Sequence, residues 1–112
     1  MAVPPEVTPA DALDLVRAGA LLLDVRELDE WAAGHAAEAR HLPMSVLGDR
    51  AGEIPGDRTV VCVCRVGGRS AAVAGALLDA GWDAVNLAGG MQAWAAADLP
   101  VVADHGGPGT VV

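Results

Sequence analysis

The run Thr59-Val60-Val61-Cys62-Val63-Cys64 is rich in β-branched residues and shows no polar alternation. A strand covered on both faces of a parallel sheet has this pattern. Arg65-Val66-Gly67-Gly68 follows as a tight loop. Arg69 to Ala80 then reads as an alanine-rich helix carrying Val73, Leu77 and Leu78, stopped by Gly81. Parallel neighbours need crossover connections, so a buried strand handing over to a helix predicts an α/β fold.

The rest of the chain is consistent with it. Thr8-Pro9-Ala10-Asp11 opens a helix with a cap, a proline in its first turn and an early acid, and Gly19 ends it. Leu13, Leu15 and Val16 form its apolar side. Ala20 to Val25 reads as a short buried strand. Asp29 is positioned to cap a short helix containing Trp31 and Ala32, which stops at Gly34-His35. Signals weaken over 36–57, where Arg40 to Leu42 reads as a strand closed by Pro43 and Ser45 to Arg50 as a helical turn. Ala84 to Leu87 is the last strand, Gly89-Gly90 a turn, and Met91 to Ala97 a helix ended by Pro100. The expectation is one α/β domain over 1–103, with 104–112 a flexible, frayed tail.

Composition narrows the function classes. The 112 residues are 53% hydrophobic, which excludes a largely disordered chain. The apolar runs are too short to span a bilayer, and the first residues lack the basic and apolar segments of a signal peptide. No membrane partner is expected. Net charge is -8 and lysine is absent, so no basic patch offers itself to a nucleic-acid backbone. A small anionic substrate remains compatible, because a local site can oppose the overall field. Cys62 and Cys64 are two apart on a strand, where a disulfide is geometrically poor. A reducing compartment, the cytoplasm, is therefore expected. No grouping has metal-ligand spacing, and no Walker or dinucleotide glycine motif occurs, so no metal or cofactor is expected.

Chemistry concentrates in Cys64-Arg65-Val66-Gly67-Gly68-Arg69-Ser70. In open α/β sheets ligand sites lie at the carboxyl ends of strands. A cysteine there faces loop amides and the unbonded N–H groups of a helix start, which favour thiolate over thiol. Two anionic species fit such a cradle: a cysteine persulfide, or a phosphocysteine or arsenate adduct. Gly67 and Gly68 are expected to supply backbone angles other residues resist. Arg69 is placed to pair with an anion or brace the loop, and Arg65 to guide an anion such as thiosulfate. Cys62 reads as packing, with a relay role as the alternative. Asp24 and Arg26 read as an ion-pair brace under the loop, with Glu30 as a partner for Arg26. His35 is a candidate base. Trp31, Trp82 and Trp94 read as packing over sheet edges, and Met91 as filler.

These motifs resemble the rhodanese family in its single-domain form, over roughly Thr8 to Val102. The likeness rests on Leu22-Leu23-Asp24-Val25-Arg26 with Glu27, Glu30 and Trp31, on Gly34-His35, on Cys64 through Ser70, and on Asn86-Leu87-Ala88-Gly89-Gly90-Met91 with Trp94. The resemblance implies a three-layer α/β sandwich around a five-stranded, mostly parallel sheet. It implies a sulfurtransferase in which Cys64 is the nucleophile, Arg65, Val66, Gly67, Gly68 and Arg69 form the loop holding the persulfide, and Asp24, Arg26 and Ser70 support it. The donor would be thiosulfate or a protein persulfide, and the acceptor cyanide or a thiol. The alternatives are a non-catalytic or regulatory module that handles sulfur and docks a partner, and a phosphatase or arsenate reductase on the same scaffold. Phosphatases of the cell-cycle type have one more residue between cysteine and arginine; the four enclosed by Cys64 and Arg69 suit a single sulfur atom better. One departure stands out: Ala36-Ala37-Glu38-Ala39-Arg40 replaces the family's apolar–Pro–Gly passage, which predicts a looser or helical turn.

Overall fold

The computed structural model of the chain describes residues 2–112. Five strands are joined in the order β1 (Glu6–Val7), β5 (Ala84–Leu87), β4 (Val60–Val63), β2 (Leu21–Asp24), β3 (Arg40–His41), and all four pairings are parallel. β4 lies at the centre, which accounts for its sequence. Val60 and Cys62 face one layer while Val61 and Val63 face the other, and all four are fully buried. With both faces covered, no position is left for a polar residue.

The two layers differ in their helices. One core joins Leu23, Val60, Cys62 and Cys64 to Val73, Ala74 and Leu77 of α4 (Gly68–Asp79). The other joins Leu22, Val61, Val63 and Leu87 to Ala12 and Leu13 of α1 (Pro9–Arg17) and to Met91 and Trp94 of α5 (Gly90–Ala96). Trp94 is therefore an interior residue rather than an edge cover, and its indole N–H donates to Pro100 O at 3.0 Å. A fully buried side chain of the leucine class contributes about 1.5–3 kcal/mol relative to exposure.

Local signals explain most helix limits. Thr8 caps α1 by accepting the Asp11 N–H at 3.2 Å. At α2 (Leu28–Ala33) the cap is Glu27, two residues before Asp29; its own N–H donates to Glu30 Oε1 at 3.1 Å. Two-carboxylate geometry at 27 and 30 satisfies the capping-box spacing, which Asp29 cannot. A 3-10 turn at Met44–Val46 and the short α3 (Leu47–Arg50) fill the weakly signalled region. The passage at 36–39 is neither loose nor helical, because Ala39 N–H closes it as one turn on Ala36 O at 3.0 Å.

The C-terminal residues lie against the domain. Asp104 N–H donates to Ala32 O at 3.1 Å and Thr110 N–H to Ala33 O at 2.9 Å. Val102 bridges antiparallel to His35 and Pro108, and Val111 packs on the α1–α5 core. The apolar side chain at 111 and the free carbonyls at the end of α2 give the segment a place to dock, one that no local pattern announces.

Among the described residues no helix is long and apolar enough to cross a membrane.

Candidate active site

Cys64 directly follows β4, and the loop 65–67 carries the chain into α4. Its Sγ accepts the Gly67 N–H at 3.1 Å, the Ser70 N–H at 3.4 Å and lies 3.2 Å from Ser70 Oγ. Burial pushes the Cys64 thiol up, but the Ser70 hydroxyl and the Ser70, Gly67 and Val66 amides outweigh it and hold it below its ordinary 9.0. Cys62 has no such donors; burial first, then the neighbouring Cys64, pushes it up to about 12. Both cysteines are free and buried, Cys64 being 1% exposed. One is thus poised to ionise and the other is held neutral.

The two loop glycines are not equivalent. Gly67 sits at φ +109°, a left-handed conformation that turns its N–H toward sulfur at the helix start. Gly68 has no positive φ, and nothing lies within 4 Å of where its Cβ would be. The expectation that both glycines serve the backbone path holds for Gly67 alone.

The loop is clamped from below by α5. Met91 N–H donates to Cys64 O at 2.8 Å and Gln92 N–H to Arg65 O at 3.0 Å. Gly90 permits this approach, since a Cβ there would lie 2.5 Å from Cys64 O. The Gly89-Gly90-Met91 motif is therefore part of the active loop's support. The Met91 side chain fills the core as expected, while its backbone N–H makes one of these bonds.

The arginines divide the remaining work. Arg69 meets Glu30 through two bonds of 2.7 and 2.8 Å, so its guanidinium braces α2 against α4. Glu30 raises the Arg69 pKa, and Arg69 in turn holds Glu30 below the usual carboxylate value. The expected Asp24–Arg26 pair forms, at 2.8 Å from Nη2, and Arg26 also donates to Gly34 O at 2.7 Å; the expected Glu30–Arg26 pairing does not, because Glu30 is taken by Arg69. Both members of the Asp24–Arg26 pair are 0% exposed, and Arg26 Nη1 has no hydrogen-bond partner. Arg65 and Val66 form the exposed apex of the loop, Val66 at 54%.

His35 is not brought to the sulfur. Its ring stacks on Trp31 at 3.6 Å, and Nδ1 donates to Trp31 O at 2.7 Å. His41 stacks on the same indole at 4.7 Å and donates Nε2–H to Arg26 O at 2.7 Å. The two rings fasten Trp31 and Arg26, and neither makes a hydrogen bond to Cys64 Sγ. Asn86 stands in the resemblance motif but receives no role of its own from the sequence. It sits on β5 at 1% exposure, with Nδ2 donating to Gly67 O at 3.1 Å and Oδ1 accepting from Ser70 Oγ at 2.6 Å. A lone amide inside the apolar run Ala84-Val85-Asn86-Leu87 was its signal, since a buried amide needs partners. Among the described residues no cluster suits a metal ion. An open cleft of about 540 Å³ near Leu15, Gly19 and Arg58 lies at the amino-terminal edge of the sheet, away from Cys64.

A parallel α/β sandwich with a cysteine cradled between a central strand and the following helix defines a class of α/β domains with an anion-binding loop at the carboxyl end of the sheet. Residues 8–97 match the family described as the rhodanese-like domain, and this chain belongs to that family. It is 45% identical over 87 residues to a sulfurtransferase of Allochromatium vinosum, covering 77% of this chain and 81% of that one. It is 39% identical over 94 residues to the probable adenylyltransferase/sulfurtransferase MoeZ of Mycobacterium tuberculosis, covering 80% of this chain but 24% of that protein. In structure it is similar to a rhodanese-related protein from Thermoplasma volcanium, with TM-score 0.82 and 32% identity over 88% of this chain and 97% of the other.

Proposed function

We propose that the chain handles sulfane sulfur at Cys64. The observation that carries this reading is the ring of donors on Sγ, which favours the anion a sulfur carrier needs. In the catalytic form, the Cys64 thiolate attacks the outer sulfur of thiosulfate, the S–S bond of the donor breaks, and sulfite leaves with its electron pair. The enzyme then holds Cys64–S–S⁻. Cyanide attacks the outer sulfur, thiocyanate departs, and the thiolate returns; a thiol acceptor leaves as its persulfide instead. The loop amides of Val66, Gly67 and Gly68 and the α4 start would hold the charge on the outer sulfur. Arg65 at the exposed apex would meet the incoming anion, and Arg69, Asp24, Arg26 and Ser70 would keep the loop in shape. No cofactor or metal enters this chemistry. Neither a nucleic acid nor a membrane is proposed as partner, and a reducing compartment such as the cytoplasm suits the free thiol.

A second reading is favoured by access. Cys64 is 1% exposed, so with the loop as it stands a donor cannot reach Sγ. This burial fits a non-catalytic or regulatory module, one that docks a sulfur-handling partner, better than it fits an open thiosulfate enzyme. A phosphatase or arsenate reductase has less support, because four enclosed residues leave little room for a tetrahedral anion.

Intact mass before and after thiosulfate, then after cyanide, decides between the readings. One added sulfur on Cys64, lost to cyanide as thiocyanate, establishes transfer. No adduct from thiosulfate or from a protein persulfide donor establishes the non-catalytic module.

A further inference from the structure

Asn86 is the sole polar residue of β5, and its amide is fixed by its neighbours. The Gly67 carbonyl, 3.1 Å from Nδ2, can only accept. The amide nitrogen must therefore face Gly67, and the oxygen must face Ser70. At 2.6 Å from that oxygen, the Ser70 hydroxyl has to donate.

Ser70 Oγ has one proton and three acceptors in reach. These are Asn86 Oδ1 at 2.6 Å, Cys64 Sγ at 3.2 Å and Gly67 O at 3.4 Å. The shortest contact takes it. Oγ then offers Cys64 a lone pair, an arrangement that suits a protonated thiol donating to Ser70. When Sγ ionises, the hydroxyl turns toward it and joins the Gly67 and Ser70 amides that already favour the anion, and Asn86 Oδ1 loses its donor in a buried site.

We propose that Asn86 is a positioning residue that holds the Ser70 hydroxyl proton away from Cys64, so that loss of the Cys64 proton is coupled to rotation of that hydroxyl. The proton released from Sγ goes to solvent base; the Ser70 proton stays on Oγ and changes only its direction. The inference rests on the reading of Cys64 as the reactive thiol. The other titratable or charged groups around it are Cys62 on β4, Arg65 and Arg69 from the loop and α4, Glu30 on α2, and the Asp24–Arg26 pair after β2. β5 and α5 carry no charge.

The test is a thiolate-absorbance titration of the full chain, its Ser70→Ala and Asn86→Ala variants and the double variant, with Cys64→Ser identifying the Cys64 signal. Asn86→Ala is expected to lower the Cys64 midpoint by about one pH unit, a tenfold change in ionisation. Ser70→Ala is expected to raise it, and the double variant to match Ser70→Ala. A merely structural Asn86 would loosen Gly67, weaken the amide donors and raise the midpoint. A rise in Asn86→Ala, no shift, or an equal drop in the Ser70→Ala background overturns the proposal. If Asn86→Ala fails to fold, the unmodified chain still answers by NMR. The Asn86 side-chain carbonyl shift should follow the Cys64 titration in the wild type and not in Ser70→Ala; following in both, or in neither, overturns it. Sulfur loading is read separately by mass, so failure of transfer and failure of this coupling are distinct results.

Discussion

Glu30 on α2 and Arg69 on α4 lie 39 residues apart in the chain and meet in a two-point ion pair, Oε1 to Nη1 at 2.7 Å and Oε2 to Nη2 at 2.8 Å. The pair ties the helix before β3 to the helix that follows the active loop. A planar guanidinium is needed to make both bonds at once.

Replacing Arg69 by Lys keeps the charge but loses the fork, and should cost about 1 kcal/mol of stability in urea unfolding. The acid limb gives the sign. Arg69 holds Glu30 below its usual 4.5, so the stabilisation is complete above pH 4.5 and lost as pH falls through the lower folded value. The stability gap between wild type and Glu30→Gln should therefore close in acid. A gap that stays constant down the acid limb would show that the carboxylate's charge is not its source.

Asp24 is the counter-ion of a fully buried arginine. Asp24→Ala leaves the Arg26 charge in the core without compensation, and should cost about 3–5 kcal/mol in the denaturant midpoint. An exposed carboxylate changed to Ala should cost far less. A loss under about 1 kcal/mol would mean that water or another group already serves Arg26.

The loop glycines give a paired prediction. Gly67→Ala places a side chain at φ +109° and should cost about 1–3 kcal/mol, whereas Gly68→Ala meets open space at an ordinary φ and should be near neutral. Gly90→Ala would press on Cys64 O and Arg65 O, so faster amide exchange over 65–68 is expected as well as lower stability. Equal losses at 67 and 68 would remove the distinction drawn from their backbone angles.

How far the sequence reaches depends on whether its signals are local. β4 is legible because burial on both faces leaves a run with no polar position, and α1 because Thr8 and Pro9 mark its start. β1 is not legible. Glu6 and Val7 form a strand only because β5 lies beside them, with Asn86 N–H on Pro5 O and Ala88 N–H on Val7 O, each at 2.8 Å. In the site, Cys64 and its loop stand in one stretch and could be read together. The partners of Glu30 and Asn86 could not, because they depend on how α2 and β5 sit against α4. The docking of Val111 fails for the same reason.

The contrast between the two cysteines yields the last prediction. Cys64 is held below 9.0 by its donors despite burial, and Cys62 is pushed up to about 12. The native chain should therefore release two thiol protons in well-separated steps, with Cys64→Ser deleting the lower and leaving the upper. Stability should follow opposite signs. Cys64 contributes stability above the unfolded thiol value, and that contribution is lost as pH falls through its lower folded value. Cys62 contributes below the unfolded value, and its contribution is lost as pH rises through about 12. Alkylation followed by mass mapping adds a kinetic reading. If the thiolate governs, the rate at Cys64 rises with its ionisation; if access governs, the rate stays slow and flat while absorbance still reports the thiolate. The flat profile would mark a cysteine that is ionised but shut in, as the non-catalytic reading requires, and a rate that tracks ionisation would mark a loop that opens to donors.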